Sequence, residues 1–218
     1  NRVVSVSGCS CAPLRDNLIL WGSREGWKVI GLDTFQEEVL EAFFARESGF
    51  FLTGGAALAG YHIHHRATKS LRLCTLEDRV RVGEATLLEV AGDIGAKVQR
   101  LEAPEAYGKF LLRRGDESLV VDLEQDLCPQ VQPEKTMIGE IQVDRPQEIM
   151  ARILCSLRSH YELNDLVDLR ALEIAGHKVE DHIDAAAHRD LDATPAALVR
   201  ALSEFEIGDD EMPPGDVS

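Results

Sequence analysis

A pair of glycines between an apolar strand and a helix of small residues constrains this chain more than any other feature. The segment "FFLT", residues 50–53, is predicted as a strand, and "GGAALAGYHIHH", residues 54–65, as the helix that follows it. A second strand, "SLRLCT", comes after a short connection at residues 70–75. Gly54 and Gly55 would let a phosphate approach the free N–H groups of the first helical turn, but the same pair is typical of a tight turn. The layout leaves both interpretations open.

The second strand has one apolar and one polar face. Because side chains alternate along a strand, Leu71 and Leu73 point one way while Ser70 and Arg72 point the other. A polar face beside a glycine pair is where a ligand would be bound, so Ser70 and Arg72 are candidate site residues.

The remaining pattern predicts an α+β fold with a mixed sheet flanked by helices, followed by a helical C-terminal lobe. Four segments are predicted. They are an N-terminal lead-in at residues 1–34, an α+β lobe at 35–130, a helical lobe at 145–207 and an acidic, mobile tail at 208–218. Thr34 is predicted as the N-cap of the first helix.

Charge and cysteine content limit the function classes. The net charge of −15 disfavours charge-driven binding of nucleic acid, tRNA included, although it leaves room for a local basic patch. No apolar stretch reaches the roughly 20 residues needed to cross a bilayer, so no membrane partner is expected. Five cysteines, an odd number in a chain of this size, favour a reducing cytoplasm.

Several segments together resemble the AbiEii/AbiGii-type nucleotidyltransferase toxins, to which the mycobacterial nucleotidyltransferase toxins are related. The likeness begins with the glycine pair and continues in "VVDLE", "NDLVDL" and "PAALVRALSEF", and it covers about residues 36–210. The residues that match the family's first motif are Gly54, Gly55, Ala57, Leu58, Ala59, Gly60, His65 and Arg66. The resemblance implies a nucleotidyltransferase-like sheet, with Gly54, Gly55, Arg66 and Asp165 as nucleotide-binding residues.

The departures from this family lie in its catalytic constellation. The two metal-binding acids of the family align with Ser70 and Arg72, and only the third acid remains, as Asp122. A lysine of the helical lobe aligns with Ile153, and an arginine aligns with Asn164. Mg²⁺ prefers carboxylate oxygens, and a single acid beside a hydroxyl and a guanidinium does not hold two ions. No metal site is therefore expected.

The resemblance and its departures together predict a degenerate member, a pseudoenzyme that is catalytically weak or inactive. It would act by binding a nucleotide, an antitoxin or another protein partner. One alternative is an active nucleotidyltransferase toxin that modifies tRNA or protein, with Mg²⁺ and NTP as cofactors and with Glu77 or Asp78 as a substitute acid beside Asp122. Another is a purely structural subunit of a larger assembly. Arg72 could pair with Asp122, stay solvated or bind a phosphate directly.

Overall fold

The structure is a computed structural model that describes residues 31–102, 104–157 and 162–203. The strands are β1 Phe51–Thr53, β2 Ser70–Thr75, β3 Lys97–Glu102, β4 Tyr107–Arg114, β5 Glu117–Gln125, β6 Thr136–Ile138 and β7 Ile141–Val143. The helices are α1 Thr34–Phe44, α2 Gly54–Ala57, α3 Val80–Asp93, α4 Pro146–Ser156, α5 Leu163–Ile174, α6 Ile183–Arg189 and α7 Pro195–Ser203. A π-helical turn, Leu58–His62, continues α2, and a 3₁₀ turn, Val179–His182, precedes α6.

The strands form one mixed sheet in the order β3-β4-β5-β2-β1-β7-β6. Strand β2 lies in the middle, antiparallel to β1 and parallel to β5. The predicted α+β class is therefore confirmed. The predicted lead-in up to residue 30 and the predicted tail at 208–218 lie outside the described residues.

One face of the sheet packs on α1 and α3 and forms the core. Phe43 of α1 contacts Phe50 edge to face, with ring centroids 5.5 Å apart, and both are buried. Leu71 and Leu73 of β2 are fully buried on this side, whereas Ser70 and Arg72 are exposed on the other. The predicted alternation of β2 is confirmed.

The N-cap of the first helix lies one residue before the predicted one. Asp33, not Thr34, is the N-cap, since its carboxylate accepts the N–H of Gln36 at 2.8 Å. The Gln36 side chain in turn accepts the N–H of Asp33 at 2.9 Å. Both residue types can cap a helix, and the reciprocal bond with Gln36 favours Asp33.

The opposite face of the sheet is partly covered by the C-terminal helices. Helix α4 packs through Ile149, Met150 and Leu154, all buried, and contacts α2, α5 and α6. Because these helices cover only part of the sheet, a cleft remains beside β1 and β2. None of the helices in the described ranges combines the length and apolar character needed to span a bilayer.

Candidate functional site

The cleft between the sheet and the C-terminal helices holds a pocket of about 260 Å³. Its wall comes from four places in the chain: the end of β1 with the start of α2, the start of β2, the middle of β5, and the facing sides of α4 and α5. The lining residues are Thr53, Gly54, Gly55, Ala56, Arg66, Ala67, Thr68, Lys69, Ser70, Arg72, Asp122, Ile149, Arg152, Ile153, Ser156, Glu162, Asn164, Asp165 and Asp168. Seven predicted site residues lie on this wall, namely Gly54, Gly55, Arg66, Ser70, Arg72, Asp122 and Asp165.

The two glycines of the pair are needed for different structural reasons. Gly54 has φ +67°, a backbone conformation that residues with a Cβ rarely adopt. Gly55 instead makes room for Arg66, because a Cβ at position 55 would lie 2.1 Å from the Nη2 atom of that arginine. The second glycine therefore accommodates a guanidinium of the same protein.

Arg66 is held by an aspartate from the helical lobe. Its Nε donates to Oδ1 of Asp168 at 2.5 Å and its Nη2 to Oδ2 at 2.8 Å, while His65 Nε2 lies 2.7 Å from Oδ1. Burial alone would raise the pKa of Asp168, but the hydrogen bonds and charges of His65 and Arg66 outweigh it and lower that pKa below 3.8. Asp168 thus ties the segment after α2 to α5.

The register of the central strands defines the polar floor of the pocket. Arg72 of β2 lies opposite Asp122 of β5, and Ser70 lies opposite Val120. Among the described residues no ion pair joins Arg72 to Asp122, and Arg72 is exposed, which fits the expectation of a solvated arginine and not that of a salt bridge.

Asp122 is instead bonded to a residue that sequence reasoning missed. The Tyr107 hydroxyl donates to Oδ1 of Asp122 at 2.6 Å. Burial and this hydrogen bond raise the pKa of Tyr107 above its ordinary value, so the phenol keeps the proton that it donates. No sequence signal pairs the two residues, because the β4–β5 register is set by the fold.

These side chains do not fit a two-metal centre. Such a centre needs several carboxylates on one face, and β2 supplies a hydroxyl and a guanidinium there. Within the described ranges, no three His, Cys, Asp or Glu side chains are grouped so as to hold a metal ion. Glu77 and Asp78 are absent from the pocket wall, and Glu77 lies 3.7 Å from Arg79.

Asp165 lies on the side of the pocket formed by α5. Its carboxylate accepts the N–H of Glu162 at 3.1 Å and so caps the start of the helix. Burial raises the pKa of Asp165 above 3.8, against the opposing effect of that hydrogen bond. Ile153 and Asn164 line the same wall without contributing charge.

Arg152 brings a positive charge to the pocket from α4. It forms an ion pair with Asp126, and its Nε lies 3.4 Å from Oδ2 of Asp144. Its guanidinium carbon lies 5.7 Å from the centre of the Phe51 ring. These contacts fix the position of Arg152 on the pocket wall, next to Ile153.

The carboxylates that Arg152 contacts belong to a buried network of ion pairs. Arg189 of α6 donates to both oxygens of Asp126 at 3.0 Å and also to Glu148. Lys135 donates to Asp144 at 2.6 Å. The side chains of Arg189, Asp126 and Glu148 are at most 4% exposed. Sequence reasoning missed these five residues because they come from separate segments that meet only in the fold.

Solved structures of other proteins share this architecture. The chain is similar to JHP933 from Helicobacter pylori, with a TM-score of 0.53 and 15% identity over 77% of this chain and 84% of that one. It is also similar to MenT4, a nucleotidyltransferase toxin from Mycobacterium tuberculosis H37Rv, with a TM-score of 0.51 and 16% identity over 72% of this chain and 64% of that one. No protein-family profile and no curated protein sequence matches the chain. The chain therefore has a nucleotidyltransferase fold.

Proposed function

We propose that this protein belongs to the AbiEii-like nucleotidyltransferase toxin group and binds a nucleoside polyphosphate in the described pocket without two-metal catalysis. One observation carries the proposal. Strand β2 presents Ser70 and Arg72 at the pocket floor, and the facing carboxylate of Asp122 is engaged by Tyr107. The floor thus has a cation where nucleotidyl transfer needs carboxylates.

The wall carries four basic and four acidic side chains, and three of the cations could bind a polyanion. Lys69 and Arg72 are exposed beside the glycine pair, and Arg152 faces them from α4. Arginine binds phosphate oxygens through parallel N–H bonds, and such charge-assisted bonds are stronger than neutral ones. A nucleotide can therefore be neutralised by protein side chains instead of by Mg²⁺.

Calorimetric titration of ATP, GTP, CTP and UTP in EDTA tests the proposal. At least one nucleotide is expected to bind without a divalent ion. Arg72→Met should weaken that binding by about ten- to a hundredfold, the effect of losing a hydrogen bond to a charged group. Arg46→Met, which breaks an exposed ion pair with Asp93, is the control and should bind as the parent does.

Two results would overturn the proposal. The first is the absence of heat for all four nucleotides. The second is transfer of label from an NTP to tRNA or protein in the presence of Mn²⁺, abolished by Asp122→Ala. That outcome would favour the alternative function, an active nucleotidyltransferase toxin.

A further inference from the structure

The sheet has a second exposed surface beyond the pocket, on the outward side of β3, β4 and β5. Among the described residues, the helices that pack closely on these strands are α1 and α3, and both lie on the core side. The outward side chains of Lys97, Gln99 and Arg113 are exposed. The outer face comprises Arg72 at its border with the pocket, and Lys97, Lys109, Leu111, Arg113 and Val120.

Strand register arranges the cations of the outer face in two rows. Arg72 and Lys109 lie on either side of Asp122 in one row, since they are its direct neighbours on β2 and β4. Arg113 lies opposite Lys97 in the other row. Direct neighbours in a sheet point to the same side, and Lys109 and Arg113 are an even number of residues apart on β4. All four cations therefore share one side of the sheet.

Two apolar side chains lie between the rows. Val120 and Leu111 are direct neighbours on β5 and β4, and both are half-buried. Lys109 and Arg113 flank Leu111 on the same side of β4. The outer face thus has an apolar centre between two rows of positive charge.

The cations of the outer face have no acidic partner in the described part of the chain. None of the four forms an ion pair there, whereas Arg100 and Arg114, on the core side of the same strands, do. Acidic residues outnumber Lys and Arg by 38 to 23 in this chain, so a shortage of acids does not explain the difference. The outer face is therefore suited to an anionic partner that also has apolar side chains.

The chain itself contains such a partner. Residues 204–218, here called the acidic segment, follow α7 directly and lie outside the described residues. The segment has six acids and neither Lys nor Arg, and the acids are Glu204, Glu206, Asp209, Asp210, Glu211 and Asp216. It also contains Phe205 and Ile207, which match the apolar centre of the outer face in character.

The acidic segment is long enough to reach the outer face. Fifteen residues span up to about 50 Å when extended, and a domain of this size has a radius of gyration of about 15 Å. Each exposed ion pair contributes little, but a tethered partner is present at an effective concentration near the millimolar range. A free nucleic acid lacks that advantage and is repelled by the net charge of −15.

We propose that the acidic segment docks on the outer face of its own chain. Its acids lie against the two rows of cations, and Phe205 and Ile207 cover Leu111 and Val120. Arg72 belongs both to the outer face and to the pocket wall, so the docked segment competes with a polyphosphate for this arginine. The competition rests on the proposed function, whereas the docking does not.

Carbodiimide coupling of the full chain tests the docking, because it joins a lysine amine to a carboxylate only where the two are in contact. Peptide mass spectrometry should find Lys97 and Lys109 coupled to the acidic segment several-fold more often than Lys178. Lys178 is the matched control, since it is exposed, has no ion pair among the described residues and lies after α5, away from the outer face. Equal coupling of all three lysines would overturn the proposal.

Reversal of charge tests whether the cations hold the segment. Lys97→Glu with Arg113→Glu should abolish coupling of Lys109, and neither change touches the pocket wall. Adding Asp209→Lys with Asp210→Lys should restore coupling between the outer face and the acidic segment. Both changed face residues are exposed, so the melting temperature should stay that of the parent. Undiminished coupling of Lys109 after the reversal would overturn the proposal.

Other occupants of the outer face give different results. Coupling found only between isotope-labelled and unlabelled copies would assign the face to a second molecule. A gel shift of tRNA that the charge reversal abolishes, without coupling of the acidic segment, would assign it to nucleic acid. Either result overturns the proposal.

Nucleotide titration separates this proposal from the proposed function. Asp209→Asn with Asp210→Asn and Glu211→Gln should raise ATP affinity roughly threefold, the effect of freeing a site that the segment covers about two thirds of the time. Unchanged ATP affinity would overturn the competition. Coupling to Lys97 and Lys109 in a parent that binds no nucleotide would support the docking and refute the proposed function.

Discussion

Replacing Gly55 by alanine should break the contact between the segment after α2 and helix α5. The added Cβ would lie 2.1 Å from Arg66 Nη2 and 3.0 Å from Asp168 Oδ2, so the guanidinium has to move. The backbone at Gly55 is not in the left-handed region, so no conformational strain adds to this collision. The effect of the variant is therefore the effect of displacing Arg66.

The magnitude follows from the burial of the ion pair. The Asp168 side chain is 4% exposed, and without Arg66 it keeps only His65 as a partner among the residues that the structure describes. Removing one member of a buried pair costs about 3–5 kcal/mol, and Arg66 is 19% exposed, which favours the lower end. A loss of about 3 kcal/mol corresponds to a melting temperature lower by roughly 6–12 °C in a domain of this size.

Urea unfolding at neutral pH measures this loss. The pKa of Asp168 is lowered in the folded state, so its stabilising contribution is present above 3.8 and is lost as pH falls through the folded value. The difference between parent and Gly55→Ala should therefore shrink in acid. Gly92→Ala is the control, because position 92 is exposed in α3 with no heavy atom within 4 Å of the added Cβ. It should raise stability by up to about 1 kcal/mol.

Equal stability of Gly55→Ala and the parent would refute this reasoning, as would an equal loss in Gly92→Ala. The first result would mean that Arg66 finds another route to Asp168. The second would mean that the method reports something other than the ion pair.

Three further predictions concern the floor, the ion network and the histidines. The double change Ser70→Asp with Arg72→Asp should create a Mn²⁺ site that the parent lacks, and electron paramagnetic resonance detects the bound ion. Equal Mn²⁺ binding by the parent and the double variant would contradict the conclusion that the pocket floor lacks metal ligands. Arg189→Met should cost about 3–5 kcal/mol in urea unfolding, against less than about 1 kcal/mol for Arg46→Met, because only the former removes a buried cation that two buried carboxylates, Asp126 and Glu148, share. Burial lowers the pKa of His62 below 6.5, so the stability that neutral His62 contributes is lost as pH falls below that value. His62→Gln should therefore make the free energy of unfolding decline less steeply in acid. An unchanged pH profile of stability would contradict this prediction.

Local pattern was enough to predict the elements that position the site. The alternation in residues 70–75 predicted both the strand and its polar face, since successive side chains of a strand point to opposite faces of the sheet. The glycine pair predicted the break between strand and helix at Thr53 and Gly54. The N-cap prediction was wrong by one residue because neighbouring Asp33 and Thr34 can each cap, and a side-chain contact decides between them.

The contacts that define the chemistry were not predictable in this way. Tyr107 meets Asp122 only because β4 and β5 pair in one register. Arg152 and Arg189 reach Asp126 across 26 and 63 residues of chain. Residues adjacent in sequence do not indicate these contacts, because the contacts depend on how the helices pack against the sheet.

The amino-acid sequence by itself determined which residue types are available to the site: a glycine pair, a hydroxyl and a guanidinium on β2, and a carboxylate on β5. Only the tertiary structure decided which of these groups already have a hydrogen-bond or ion-pair partner within the protein. It pairs Arg66 with Asp168 and Tyr107 with Asp122, and among the described residues it gives the Thr53 hydroxyl no partner. The physical reason is that side-chain direction follows from local backbone geometry, whereas hydrogen-bond partners and burial arise when segments distant in the chain pack together.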